Sequence, residues 1–154
     1  MNDNNLKRIT AISQQSLFEG LSELDKLSVG ADGWSARDFY DEAAKDGGIV
    51  LAMLDGNKVI GAIAGFTASN TGEILTVAVS PEYRRQGIAD KLMDRFFSLL
   101  PDDVDNIALE VRQSNNAAIS LYEKYGFEKM GVRRRFYRDP VEDADIMVKK
   151  IKRD

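Results

Sequence analysis

An apolar run, Ile74 to Val79, ends at Ser80-Pro81 and is followed, past Arg84-Arg85-Gln86-Gly87, by an amphipathic stretch from Ile88 to Leu100. Leu92, Met93, Phe96, Phe97 and Leu100 recur at helical spacing, so the spacing predicts a strand, a short basic loop and a helix with one apolar face. Such a unit requires a sheet with a helix packed on it, which places the chain in the α/β class. The loop also has a chemical meaning. The first amides of a helix lack intrahelical partners and sit at the positive end of its dipole, which favours anions. Gly87 has no Cβ to keep a ligand from the backbone, and Arg84 and Arg85 add charge-assisted donors. The expected guest is a phosphate or pyrophosphate. A solvated helix start is the plainer alternative for these residues taken alone. A Walker loop is absent, and a dinucleotide fingerprint needs three glycines where only Gly87 stands.

The same periodicities extend over the chain. Leu6 to Ile12 predicts a first strand, and Ser13 to Val29 a helix with Leu17, Phe18, Leu21 and Leu24 inward. Ser35 is placed to cap a second helix, Ala36 to Lys45, which Gly47-Gly48 ends. Ile49 to Leu54 and Val59 to Thr67 flank Asp55-Gly56-Asn57 as a hairpin. The small residues Gly61 to Gly65 suit a strand approached closely by a backbone or ligand, or one lying beneath a helix. Further strands are expected at Glu73–Val79, Asn106–Val111, Phe127–Tyr137 and Asp145–Ile151, and a further helix at Ala117–Tyr125, capped by Ser114-Asn115-Asn116. The expected order is β-αα-βββ-α-β-α-ββ around a mixed, mostly antiparallel sheet of six or seven strands with about four helices.

At 154 residues the chain suits one domain, 1–154. It has no cysteine and no histidine. That excludes a disulfide framework, an acyl-cysteine intermediate and a cysteine/histidine zinc site, and leaves proton transfer to carboxylate, tyrosine, lysine or water. The net charge of -4 disfavours general nucleic-acid binding. The one basic cluster, Arg133-Arg134-Arg135 with Arg138, suits a solvated strand edge as well as a functional surface. Met1 to Asn5 is polar and no stretch is long and apolar enough for a membrane span, so a cytoplasmic protein without membrane contact is expected.

Two motifs carry a resemblance. Arg84-x-x-Gly87-x-Ala89 resembles the coenzyme A pyrophosphate loop of the GNAT (GCN5-related N-acetyltransferase) superfamily. Asn115-x-x-Ala118-x-x-Leu121-Tyr122, followed by Gly126-Phe127, resembles the second signature of the same superfamily, in the same order. Within it, Leu109-Glu110-Val111-Arg112, Gly131-Val132-Arg133-Arg134-x-Phe136-Tyr137 and Glu142-Asp143-Ala144 are similar to the bacterial RimI-type enzymes. Those acetylate the N-terminal alanine of a small-subunit ribosomal protein. Gly33-Trp34-Ser35 is similar to their Pro-Trp-Ser segment. Three departures stand out: Gly33 replaces the proline, Phe136 a usual tyrosine, and Ala89 a second loop glycine.

The resemblance implies acetyl-CoA as cosubstrate, no metal, and direct transfer in a ternary complex. Strand Glu73–Val79 would splay from strand Asn106–Val111, and the pantetheine arm would pair with the backbone of Val77, Ala78 and Val79. The pyrophosphate would sit on the amides of Arg85, Gln86, Gly87, Ile88, Ala89 and Asp90, with Arg84 opening the loop. Asn115 would bond the cofactor arm, although a helix cap is its first role by sequence. Glu110 would be the general base and Tyr122 the general acid; a strand-end carboxylate and a core aromatic are the plainer alternatives. Trp34, Arg134, Tyr137 and Glu142 would line the acceptor groove. The implied partner is the N-terminus of a small-subunit ribosomal protein, with no direct nucleic-acid contact, for a monomer or weak dimer. Two other functions fit the motifs: a GNAT enzyme for a small amine (polyamine, amino acid or aminoglycoside), and a non-enzymatic CoA-binding module.

Overall fold

The computed structural model describes residues 3–151, so Met1, Asn2 and the last three positions of the expected 1–154 domain lie outside the described residues. The strands are β1 (Leu6–Ile9), β2 (Gly48–Asp55), β3 (Lys58–Ala68), β4 (Thr71–Val79), β5 (Asn106–Arg112), β6 (Glu128–Arg138) and β7 (Val141–Lys150). The helices are α1 (Gln15–Val29), α2 (Ala36–Ala44), α3 (Ile88–Ser98) and α4 (Asn116–Lys124). All seven strands form one sheet in the order β1-β2-β3-β4-β5-β7-β6. Every pairing is antiparallel except β4 with β5, which is parallel. Among the described residues no helix is long and apolar enough to cross a membrane.

The central strands are buried on both faces because alternate side chains feed two cores. Leu51, Met53, Ile60 and Ile63 pack with Ile88, Leu92 and Phe96 of α3 and with Phe127. Val50, Ala52 and Ala62 face Phe18, Leu21 and Leu24 of α1 and Phe39 of α2. The small-residue run of β3 lies beneath a helix: a Cβ on Gly61 would fall 2.7 Å from Ile88 Cγ2, and one on Gly65 2.9 Å from the Phe96 ring. Ser35 caps α2 in a reciprocal box, its hydroxyl accepting from the Asp38 amide while Asp38 accepts from the Ser35 amide.

Two expected strand boundaries move by three residues or more. β1 ends at Ile9 because its pairing with β2 ends at the Ile9–Val50 pair. β7 starts at Val141, not Asp145, so most of the acidic stretch Asp139 to Asp145 is strand. Its carboxylates are engaged locally: Asp143 accepts from the Arg135 amide at 2.9 Å, and Asp145 from Gln113 Nε2 at 2.9 Å. The basic cluster lies on β6, an edge strand whose register shifts twice and whose Arg135 has φ 54°. Bulges and cations of this kind keep an exposed edge from pairing with another chain.

Candidate active site

The sheet opens at its parallel pair. β4 and β5 are in register only from Thr71–Asn106 to Ile74–Leu109. On the other side of β4, Gly65 pairs with Ile74 and Ala64 with Thr76, leaving Leu75 as an extra residue. A bulge bends its strand and increases local twist, and the parting of the strands begins at this one. Beyond it, Thr76 to Val79 keep partners on β3 alone, and Glu110 to Arg112 keep partners on β7 alone. The facing backbone edges therefore lack strand partners, and buried backbone groups require some partner. The opening is a cleft of about 410 Å³, lined by Ile74 to Val77, Leu109 to Arg112, Ala118 and Tyr122, with Trp34, Phe136 and Tyr137 toward one end.

On the expected cofactor side, Val77 lines the cleft, while Ala78 packs in the core under α1 and α2 and Val79 against the α3 core. Gly87 is the N-cap of α3, with φ 75°, and no side chain caps the first amides of that helix. A Cβ on Gly87 would meet nothing within 4 Å. The glycine is thus required by its left-handed backbone, and the space beside it is open. Arg85 shares the positive φ, at 63°. Arg84, Arg85 and Gln86 are exposed, as is Gly87, and Ile88 is buried. Asp90 accepts from Lys124 Nζ at 2.7 Å and from the Tyr125 hydroxyl at 3.0 Å, which ties the start of α3 to α4. The Lys124 bond is the main cause holding its carboxyl below the usual range. Asn115 caps α4, its Oδ1 accepting from the Ala118 amide at 3.2 Å, and it also lines the cleft.

Glu110 and Tyr122 both reach the cleft. Glu110 Oε1 lies 3.1 Å from Arg133 Nε. Tyr122 is buried and packs edge-on to Phe127. Burial, and secondarily Tyr137, pushes its phenol well above the usual tyrosine range, so it stays protonated. Tyr137 is pushed up to about 12, first by burial and then by the Glu110 charge.

At the expected acceptor end, the Trp34 ring packs tilted against Phe39, with centroids 5.0 Å apart. Its amide donates to Asp25 Oδ2 at 2.7 Å, and its carbonyl accepts from Ser22 Oγ at 2.7 Å. Two of the expected groove residues are elsewhere. Arg134 is exposed on β6, outside the cleft lining. Glu142 also lies outside the lining, its oxygens engaged by Arg112 at 3.2 Å and the Ser114 amide at 2.7 Å. Bonding from Ser114 is the main cause lowering its carboxyl from the usual value. Two acidic lining residues, Asp25 and Asp32, lie outside every resembling segment, and Arg112 lies in one but without an expected role. Asp25 is buried, accepts from Thr76 Oγ1 at 2.5 Å, and is raised from its usual value by burial.

Comparison with known proteins agrees with this architecture. Residues 15–127 match the acetyltransferase (GNAT) family. The N-alpha-acetyltransferase RimI of Mycobacterium tuberculosis is 32% identical over 126 residues, covering 79% of this chain and 78% of that protein. The ribosomal protein bS18-alanine N-acetyltransferase of Escherichia coli K12 is 43% identical over 77 residues, 48% of this chain and 52% of that one. The crystal structure of the ribosomal-protein-S18-alanine N-acetyltransferase from Escherichia coli superposes with a TM-score of 0.79 at 26% identity, covering 97% of this chain and 96% of that one. The chain belongs to the acetyltransferase (GNAT) family.

Proposed function

We propose that this protein transfers the acetyl group of acetyl-CoA to the N-terminal amine of a protein beginning with alanine, with a small-subunit ribosomal protein in the cytoplasm as its substrate. The observation that carries the reading is the β4–β5 opening, which brings a carboxylate, Glu110, and a protonated phenol, Tyr122, to one cleft. Relatives named for N-alpha and bS18-alanine acetylation support the choice of acceptor.

Acetyl-CoA lies in the opening, its pantetheine arm bonded to the free edge of Val77 to Val79 and to Asn115. Its pyrophosphate rests on the uncapped amides from Arg85 to Asp90. The acceptor amine enters past Trp34 and Tyr137. An N-terminal amine has a pKa near ~8 and a lysine near ~10.4, a difference of roughly 3 kcal/mol in deprotonation. Glu110 therefore suffices as base, directly or through one water. The amine nitrogen bonds to the thioester carbon, a β4 amide stabilises the oxyanion, and the carbon–sulfur bond breaks. Tyr122 gives its proton to the departing sulfur and regains one from solvent.

The test is acetyl transfer from acetyl-CoA to a peptide beginning Ala-Arg, beside the same peptide already acetylated at its N-terminus. Transfer to the free peptide alone is expected. No transfer despite acetyl-CoA binding would move the acceptor to a small amine, or leave a CoA-binding module if small amines also fail.

Replacing Gly87 tests the phosphate loop separately. Gly87→Val forces a β-branched residue into φ 75°, where an L side chain costs roughly 1–2 kcal/mol. It also places carbon in the open space assigned to the pyrophosphate. The acetyl-CoA KM is expected to rise at least about tenfold, the change that a loss near 1.4 kcal/mol of binding produces. An unmoved KM would take the loop out of cofactor binding.

A further inference from the structure

Arg112 ends β5, two residues after Glu110, and its side chain is only 16% exposed. Its Nη2 donates to Asp32 Oδ2 at 2.9 Å and to the Asp139 carbonyl at 3.2 Å. Its Nη1 donates to Glu142 Oε1 at 3.2 Å and to the Pro140 carbonyl at 2.9 Å. The guanidinium carbon lies 4.3 Å from the centre of the Tyr137 ring. Asp32 lines the cleft, and the other partners lie just beyond its lining in the hairpin whose Phe136, Tyr137 and Arg138 line it. Asp32 belongs to the segment between α1 and α2, whereas Asp139, Pro140 and Glu142 belong to the β6–β7 hairpin.

The chemistry requires arginine. Five donors in a planar fork can bond several acceptors at once while the flat face covers a ring. A lysine ammonium is a compact charge on a flexible stem and cannot do both. The site also has an electrostatic reason to come apart without it. Asp32 and Glu142 are 17% and 19% exposed, and removing their shared cation leaves two partly buried carboxylates without it. The other cation near Asp32 is Arg138, 88% exposed and at 3.9 Å.

We propose that Arg112 is the positioning residue of the acceptor groove. It joins the α1–α2 segment to the β6–β7 hairpin across the strand that carries Glu110, and so sets the groove's width and the seat of Tyr137. The acceptor part of this inference rests on the proposed function; the joining of the two walls does not.

Arg112→Lys and Arg112→Met separate these parts. Without substrates, hydrogen exchange on the full chain is expected to quicken at residues 30–34 and 138–142 in both variants, with the start of α3 unchanged. In turnover, the KM for the Ala-Arg peptide is expected to rise about 10–100-fold, as small misplacements near a reacting centre do, while the acetyl-CoA KM stays within about twofold. Lysine, which keeps the charge, is not expected to rescue the peptide KM. A purely stabilising role would lower Tm and leave both KM values alone below the melting range, and that result overturns the proposal. Unchanged exchange at both segments overturns it too. A wild-type protein inactive on the peptide, with the exchange response intact, would sink the acceptor assignment and leave Arg112 as the joint between the walls.

Discussion

Glu110→Gln is expected to slow acetyl transfer by about 10²–10⁴-fold, the usual range for losing a general base. The substitution keeps the side chain's size and removes its ability to take a proton. Acetyl-CoA affinity, measured by direct titration, should hold, because Glu110 is on β5 and the uncapped amides are at the start of α3. Stability should also hold. The ion pair with Arg133 joins a 24% exposed carboxylate to a 58% exposed guanidinium, and pairs of this kind contribute about 0–1 kcal/mol. Turnover at the wild-type rate would remove Glu110 from the mechanism.

Tyr122→Phe is the second large expected effect. It deletes one hydroxyl and leaves the ring packed against Phe127, 5.9 Å away between centroids. A lost general acid should again slow transfer by about 10²–10⁴-fold. The sign of the pKa shift fixes the pH behaviour. Burial raises the phenol, so Tyr122 keeps its proton throughout the range in which an ordinary tyrosine does and beyond. A fall in rate below pH ~10, the ordinary tyrosine value, is therefore not ionisation of Tyr122. The decisive comparison uses two acetyl thioesters. A leaving thiol of lower pKa has less need of a proton, so the variant's deficit should shrink with that donor. An equal deficit with both donors would return Tyr122 to a packing role.

The regular parts of the molecule were legible in the sequence for a physical reason. Ser35, Asn115 and the face of α3 announce themselves within a few residues, and local capping and periodicity decided those elements. The GNAT resemblance added the expectation that β4 and β5 part. Other features depend on distant partners. Arg112 meets Asp32 across 80 positions and Asp25 meets Thr76 across 51, and no local pattern marks such pairs. Glu142 and Arg134 show the converse. Both lie in segments resembling RimI-type enzymes, yet the hairpin's register and the donors at Arg112 and Ser114 place neither in the cleft lining. The beginning of β7 was obscured because acidic residues at a sheet's rim find individual donors and need no apolar alternation.

Leu75 has a consequence beyond the opening it accompanies. Side chains on a strand alternate between faces, so one extra residue shifts the phase of everything after it. Ile74 packs on the α3 side; past the bulge it is Val77 and Val79 that do so, while Ala78 joins the α1 side and Thr76 reaches Asp25. β4 therefore carries two frames, much as a message does on either side of an inserted letter. Straightening the strand with Leu75 kept in it would put Val77 and Val79 on the wrong face and send Thr76 away from Asp25, whereas deleting Leu75 would restore simple alternation and leave all three on the faces they now hold. The bulge and the orientation of the gap's walls are thus separable, and loss of the single residue Leu75 would straighten β4 against β3 while Thr76, Val77 and Val79 keep their faces.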